Sequence, residues 1–315
     1  MNPLVSICCI TYNHESYIRD AIEGFLMQKT TFPFEIIIHD DASTDDTAKI
    51  IQEYANQYPE LFVTILQKEN QWSKGIRPSP TYVWPRARGK YIALCEGDDY
   101  WTDPYKLQKQ VDFLEENENC SLCVGGFKKH NVYTNETEDI IKIISGVERN
   151  DKGYTFTLND TKKGWITKTL TAVFKNDKNV FEQLTKYKYG RDINLFYHIL
   201  KTGKGFYFTE IMGVYRIHEG GIFSLQKQSL INFSNHYKIY NELYKSNFDE
   251  YTRYMNIRHT LALFKYNLFN KYPGNTLKKK IQLYFEAIML VRSIREFIFL
   301  FTVLIPSKIK SRLRK

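Results

Sequence analysis

The N-terminal third of the sequence alternates short apolar runs with helical stripes, and no other feature restricts the fold as strongly. Val5-Ser-Ile-Cys-Cys-Ile10 is an apolar run of the kind expected for a strand buried on both faces. From Glu15 to Gln28 the pairs Tyr17/Ile18, Ala21/Ile22 and Phe25/Leu26 recur with helical period. Glu35 to His39 reads as a second strand, and Ser43 as the cap of a helix with Ala48, Ile51, Ala55 and Tyr58 on one face. Leu61 to Leu66 and Lys90 to Cys95 read as a third and a fourth strand. Asp103-Pro104 has the form of an N-cap followed by the first helical residue, and it predicts a helix bearing Leu107, Val111 and Leu114. This order predicts an α/β domain with a mainly parallel central sheet and helices on both sides. Right-handed crossovers then bring the carboxyl ends of the strands to one edge, where ligands bind in such sheets.

The rest of the chain is less regular. Ser121 to Lys128, Thr169 to Phe174 and Gly205 to Phe208 read as strands, and Lys178 to Tyr187 and Asp192 to Lys201 as helices. From Ser229 the pattern is helical, with Leu230, Phe233, Tyr237, Tyr240 and Tyr244 on one stripe and a break at Lys271-Tyr-Pro-Gly-Asn275. The net charge of +9 is concentrated at the end. Lys278 to Lys280, Arg292, Arg295 and most of the last eight residues are basic, against Glu286 and Glu296 alone. The body is therefore nearly neutral, which argues against a nucleic-acid surface. The nine-residue apolar run Phe297 to Ile305 is short of the ~20 residues a spanning helix needs. The segment fits better a helix lying in an anionic membrane interface, or one packed on the catalytic domain or a second subunit. Met1-Asn2-Pro3 leads straight into the first strand without a signal-peptide pattern. Five cysteines in apolar surroundings, Cys120-Ser-Leu-Cys123 among them, read as buried reduced thiols. The expected location is cytoplasmic.

Chemistry concentrates after two of the strands. Glu96-Gly97-Asp98-Asp99-Tyr100-Trp101 follows the fourth. Adjacent carboxylates repel unless a cation or hydrogen bonds neutralise them, and an oxygen-rich site with few protein ligands suits Mg²⁺ or Mn²⁺. His39-Asp40-Asp41-Ala42-Ser43 follows the second strand, and the topology puts it on the same edge. A carboxylate there would accept from a base N–H or a ribose hydroxyl. The first strand is followed by Thr11-Tyr12-Asn13-His14 rather than a glycine-rich turn, and no Gly-Lys-Ser/Thr loop exists. A dinucleotide-binding dehydrogenase and a P-loop kinase are both disfavoured.

Taken together, Val5-Ser-Ile with Thr11-Tyr12-Asn13, Asp40-Asp41-Ala42-Ser43-Thr44-Asp45, and Gly89-Lys90-Tyr91-Ile92 with Gly97-Asp98-Asp99 resemble glycosyltransferase family 2 across roughly residues 4–225. The resemblance implies a GT-A fold, an αβα sandwich, over residues 1–225. A helical extension over 226–275 and a basic amphipathic tail over 276–315 would follow. It implies that Tyr12 stacks on the nucleotide base, that Asp41 contacts it, that Asp98 faces the ribose, and that Asp99 holds the metal. It puts the general base at Asp192, in Gly190-Arg191-Asp192, although Arg191 departs from the glutamate many members carry there and Asp192 would serve equally as a helix cap. In Tyr215-Arg216-Ile217-His218, His218 would reach the metal or the diphosphate, and Arg216 would pair with the diphosphate or with a core carboxylate. Trp101 would floor the sugar or acceptor site, or belong to the core. Asn13, His14 and Arg88 receive no role.

The function expected from the resemblance is inverting, Mn²⁺- or Mg²⁺-dependent transfer of a hexose or N-acetylhexosamine from a nucleoside-diphosphate sugar. The acceptor would be a growing surface glycan, lipid-linked, at the cytoplasmic face of the membrane. A nucleotidyltransferase would also use paired aspartates but would carry a basic, glycine-rich loop after the first strand. A non-catalytic glycan-binding scaffold would not need Asp41, Asp98, Asp99 and Asp192 together.

Overall fold

The computed structural model describes residues 2–221, 229–269 and 276–292. The chain forms two compact units, residues 1–186 with 192–224 and residues 187–191 with 225–315. Among the described residues, ten strands of the first unit form one sheet, in the order β3 (Phe62–Leu66), β2 (Phe34–Asp40), β1 (Val5–Thr11), β4 (Tyr91–Leu94), β9 (Val173–Lys175), β6 (Cys120–Asn131), β10 (Lys204–Ile217) and β5 (Tyr100–Trp101), with β7 (Thr137–Ile140) on β6 and β8 (Gly153–Phe156) on β10.

The N-terminal half of the sheet is parallel, as the alternation predicts. β1 (Val5–Thr11) lies between β2 (Phe34–Asp40) and β4 (Tyr91–Leu94), and β3 (Phe62–Leu66) flanks β2. Thr11 pairs with Asp40 and Cys8 with Leu94, so the segments that begin at Tyr12, Asp41 and Cys95 leave the sheet at one edge. β5 (Tyr100–Trp101) follows at once. The other half of the sheet is mixed. β9 (Val173–Lys175) runs antiparallel to both β4 and β6 (Cys120–Asn131). β7 (Thr137–Ile140) folds back on β6, and β8 (Gly153–Phe156) pairs with the start of β10 (Lys204–Ile217). Register shifts around Ile211 separate the start of β10 from its end, where Gly213 and Val214 pair with Trp101 and Tyr100 of β5.

Helices cover both faces. Ile18, Ile22 and Phe25 of α1 (Ile18–Leu26), Ile51 and Tyr54 of α2 (Thr47–Gln57) and Leu107, Val111 and Leu114 of α3 (Lys106–Glu116) pack with Ile7, Cys9, Ile36 and Ile38. On the other side Phe181 of α4 (Lys178–Thr185) meets Trp84 and Phe174 at 4.9 and 6.4 Å. α5 (Asp192–Thr202) precedes β10. The second unit contains α6 (Ser229–Asn247), α7 (Glu250–Phe269) and α8 (Leu277–Met289). Tyr240 stacks on His259 at 4.4 Å, and Arg253 donates to the Leu290 carbonyl at 2.8 Å, joining α7 to the end of α8.

Several local expectations change. α2 begins at Thr47, not beside Ser43; Asp45 accepts from the Thr47 amide, while the Ser43 hydroxyl accepts from the Asn13 amide. Likewise α3 begins at Lys106, and Asp103 accepts from the Tyr105 amide in the preceding turn. Thr169 to Thr171 is a 3-10 turn, and the strand starts at Val173. All five cysteines are free and buried. Leu230 and the run Phe297 to Ile305 lie outside the residues whose side chains are described. Among the described residues no helix is long and apolar enough to cross a membrane.

Of the two places expected for Trp101, the structure favours the core. Its side chain is 1 % exposed, packs on Phe25 at 4.9 Å and donates its indole N–H to the Leu170 carbonyl at 2.7 Å. The Lys106 ammonium lies 3.9 Å from the ring centre. A side chain so enclosed belongs to the core and offers no floor to a sugar. Trp101→Ala is therefore expected to destabilise the fold by about 3–5 kcal/mol, the usual cost of such a truncation. Denaturant unfolding measures it, and a loss below about 1 kcal/mol would contradict the core assignment.

Candidate active site

The edge is organised by hydrogen bonds between two loops. Asn13 adopts a left-handed φ of 54°, and its side-chain carbonyl accepts from the Thr44 amide at 2.8 Å. The amides of Asn13 and His14 donate to the Ser43 and Thr47 hydroxyls, both at 2.8 Å. The Glu15 amide donates to Asp45, and the Asp46 amide returns a bond to Glu15. Asp40 accepts from the Ser43 amide at 3.0 Å and from its hydroxyl. These bonds fix the direction of the chain on either side of Tyr12, which is 43 % exposed at the open edge.

Asp41 anchors a neighbouring loop. Its two carboxylate oxygens accept from the amides of Gln71 and Trp72, at 2.8 and 3.0 Å. It thereby holds the segment that presents Trp72, which is 47 % exposed. The Gln71 side chain in turn accepts from Tyr82, whose ring stacks on His39 at 5.5 Å.

The Gly97-Asp98-Asp99 turn sits against the end of β1, with the Gly97 amide donating to the Ile10 carbonyl at 3.0 Å. A Cβ at Gly97 would lie 2.7 Å from the Thr11 side chain, so only glycine permits this approach. The two aspartates then diverge. Asp98 receives the His218 ring nitrogen Nε2 at 3.0 Å and has His14 Nε2 at 3.8 Å. Burial raises its carboxyl, but the His218 bond and the two imidazoles outweigh that and hold it below its ordinary value. Asp99 is fully enclosed and accepts from the Arg216 amide at 2.9 Å. Burial first, then the charges of Asp98 and Glu96, push its carboxyl well above the ordinary range.

His14, Asp98 and His218 together form a metal-capable group, with one donor atom from each lying within 4.8 Å of the others. Two imidazoles and a carboxylate are a suitable donor set for a divalent transition ion. His14 Nδ1 meets the Thr11 hydroxyl at 3.1 Å; with the proton on Nδ1, this bond leaves Nε2 as the free donor. Burial also lowers the His14 pKa, which favours the neutral, ligating form. From the resemblance alone Asp99 and His218 are expected to hold the metal, and His14 has no expected role. The geometry instead groups Asp98 with both histidines and leaves Asp99 behind them. The available signal was position: His14 follows the first strand by three residues, on the same edge as the aspartates.

Arg216 is committed to this scaffold. Its guanidinium donates to the Asp98 carbonyl at 3.0 Å, pairs with Asp20 and lies 4.2 Å from the Tyr100 ring centre. In this arrangement it braces the aspartate turn rather than reaching out to a diphosphate. Asp192 opens α5 and accepts from the Ile193 amide at 2.9 Å. It shares an environment with the turn: after burial, the charges of Asp99, Asp98, Glu96 and Asp192 all raise the Tyr215 phenol. Lys168 supplies the cation there, 3.4 Å from the centre of the Tyr215 ring.

Comparison with known proteins gives a consistent picture. Residues 6–185 match the family described as Glycosyl transferase family 2. The uncharacterized protein Rv1520 of Mycobacterium tuberculosis is 53 % identical over 119 residues, which cover 38 % of this chain and 34 % of that one. TuaG of Bacillus subtilis, named for teichuronic acid biosynthesis, is 28 % identical over 70 % of this chain and 82 % of its own length. The Escherichia coli UDP-Glc:alpha-D-GlcNAc-diphosphoundecaprenol beta-1,3-glucosyltransferase WfaP is 37 % identical over 36 % of this chain and 41 % of its own. The chain thus matches only about a third of the mycobacterial relative. Among solved structures, Staphylococcus aureus TarS 1-349 in complex with UDP-GlcNAc superposes with a TM-score of 0.64 at 18 % identity, over 91 % of this chain and 81 % of that one. At that identity the likeness is one of fold, and it agrees with a GT-A-type α/β architecture.

Proposed function

The chain belongs to glycosyl transferase family 2, and on that premise we propose that it transfers a hexose or N-acetylhexosamine, with inversion, from a UDP-sugar to a hydroxyl of a growing surface glycan. The observation that carries this reading is the grouping of His14, Asp98 and His218 on the strand edge that also bears exposed Tyr12. Tyr12 and the Asp41-anchored Trp72 segment offer flat surfaces to a uracil. His14, Asp98 and His218 would hold Mn²⁺ or Mg²⁺, which when bound neutralises the charge gathering on a departing diphosphate. Asp98 is then a metal ligand, and Asp99 with Arg216 keeps its turn in place. Asp192 would take the proton from the acceptor hydroxyl as its oxygen attacks the anomeric carbon. Attack opposite the leaving diphosphate inverts that centre.

The donor assignment is supported by the UDP-sugars named for WfaP and for the TarS complex. The diphosphoundecaprenol acceptor named for WfaP supports a lipid-linked acceptor here, and the teichuronic acid role named for TuaG supports a surface polysaccharide. Such an acceptor would place the enzyme at the cytoplasmic face of the membrane, where the basic C-terminal segment fits an anionic surface. A ligand bound by the native state alone raises the melting temperature, by about 2.7 kcal/mol of stabilisation at a hundredfold excess over Kd. UDP-glucose or UDP-N-acetylglucosamine with Mn²⁺ is expected to raise it, and GDP-mannose to do so less. Equal, negligible shifts for all three would sink the donor assignment.

A further inference from the structure

Helix α8 is apolar on two opposite sides. Leu283 and Ala287 are buried, and Ala287 packs with Ile257 and Leu261 of α7. Leu277, Ile281, Phe285 and Met289 recur every fourth residue and are 72, 47, 59 and 82 % exposed. At about 100° per residue this row drifts through roughly 120° of the helix surface, facing away from Leu283 and Ala287. A row of four large apolar side chains left in water marks a contact surface.

The charges say what it contacts. Lys278, Lys279 and Lys280 fill the first turn, the positive end of the helix dipole, where cations are disfavoured. An external anion would offset that placement. A second copy of α8 does not supply one: its single acidic residue, Glu286, already accepts from Tyr237 at 2.6 Å and Gln282 at 2.8 Å. A surface that is apolar inside and anionic at its boundary satisfies both the row and the lysines. We propose that this face of α8 is the membrane-docking surface of the protein, with Leu277, Ile281, Phe285 and Met289 entering the interface of an anionic bilayer and the lysine triad lying among its headgroups. The inference rests on the reading of a lipid-linked acceptor at the membrane and names the residues that would meet it.

The test is flotation of the full chain with vesicles of phosphatidylcholine alone or mixed equally with phosphatidylglycerol. The unaltered protein is expected to float with the mixed vesicles. The pair Ile281→Asn and Phe285→Asn is expected to lose at least about tenfold in partitioning, since each removes a large side chain from the interface. Lys278→Glu with Lys279→Glu, on exposed positions, is expected to lose a similar factor at low salt and less at high salt. Matching melting curves exclude unfolding as the cause. A polarity-sensitive dye on Phe285→Cys is expected to shift to the blue only when mixed vesicles are added. If the protein never floats, the membrane reading itself fails. If it floats and both sets of variants float equally well, that reading stands and α8 is not the surface. A dimer in sedimentation that the Asn pair dissociates, or a dye already shielded without vesicles, would equally overturn the proposal, by assigning the row to a second copy or to the chain's own residues 293–315.

Discussion

Asp98→Asn is expected to abolish metal binding in practice and to lower transfer by at least about 10³-fold, while Asp99→Asn is expected to leave metal binding within roughly tenfold. The asymmetry follows from where the carboxylates sit. Asp98 is the negative member of a group with two imidazoles, which keep it ionised despite burial. Removing its charge leaves two neutral donors, a much weaker site for a hard or borderline cation. Asp99 lies behind it, enclosed, with its carboxyl pushed up toward the neutral form by burial and by Asp98 and Glu96. An amide there keeps an acceptor for the Arg216 N–H, so the turn should survive. The readout need not be activity: Mn²⁺ titrated into the free protein and followed by its electron paramagnetic signal reports binding directly. The two histidines also set the selectivity, since imidazole suits transition ions better than Mg²⁺. Mn²⁺ should therefore bind more tightly than Mg²⁺, and His14→Gln should narrow the gap. If Asp99→Asn loses the ion and Asp98→Asn keeps it, the ion sits on the other carboxylate and the His14 assignment falls with it.

The reasons this centre was only partly legible in the sequence are physical. Buried parallel strands announce themselves because both faces must be apolar, so β1, β2 and β4 could be read almost to the residue. The edge they define could be read too, because the direction of the crossovers follows from chirality. β10 was visible only over its first turns of apolar sequence; its polar middle around Glu210, where the register shifts, hides a strand that runs on to Ile217. β5 has two residues, and β7, Thr-Glu-Asp-Ile, is largely exposed, so neither carries a periodic signal.

Side-chain contacts were hidden where the partner is distant in sequence. Ser43 looks like a helix cap by its neighbours, yet its hydroxyl serves the Asn13 amide in another loop. Asp41 has the position of a base-contacting residue, yet both its oxygens hold the chain at Gln71 and Trp72. His14 has no local motif at all; it matters because Asp98 arrives beside it from β4. Trp101 adjoins the aspartates, and its sequence position alone fits either the cleft or the core. The short strand β5 turns it inward against Phe25, while Tyr100 faces Arg216.

Asp192→Asn is expected to keep UDP-sugar and metal binding within a few-fold while lowering transfer by at least about 10²-fold, the usual scale for removing a general base. Asp192 is the acidic residue in the first turn of α5, the end of the helix dipole that attracts negative charge. Its Oδ1 accepts from the Ile193 amide at the start of the helix. The competing reading, in which Asp192 only starts the helix, predicts a different pattern. A lost N-terminal contact costs about 0.5–2 kcal/mol of stability and should touch turnover and melting together. Asparagine, a good residue at helix starts, can replace that function and cannot replace a base. The substitution therefore separates the two: unchanged melting with turnover gone supports the base, and turnover within a few-fold of the unaltered protein removes it. Asp160 is a weak replacement in that event, because Thr157 and Lys163 already occupy its carboxylate. Asp177 accepts from the Asn179 amide at the start of α4, a contact of the same kind as that of Asp192, and is the next candidate. Retained turnover in Asp192→Asn would thus take the base role from Asp192 and make Asp177→Asn the next substitution to measure.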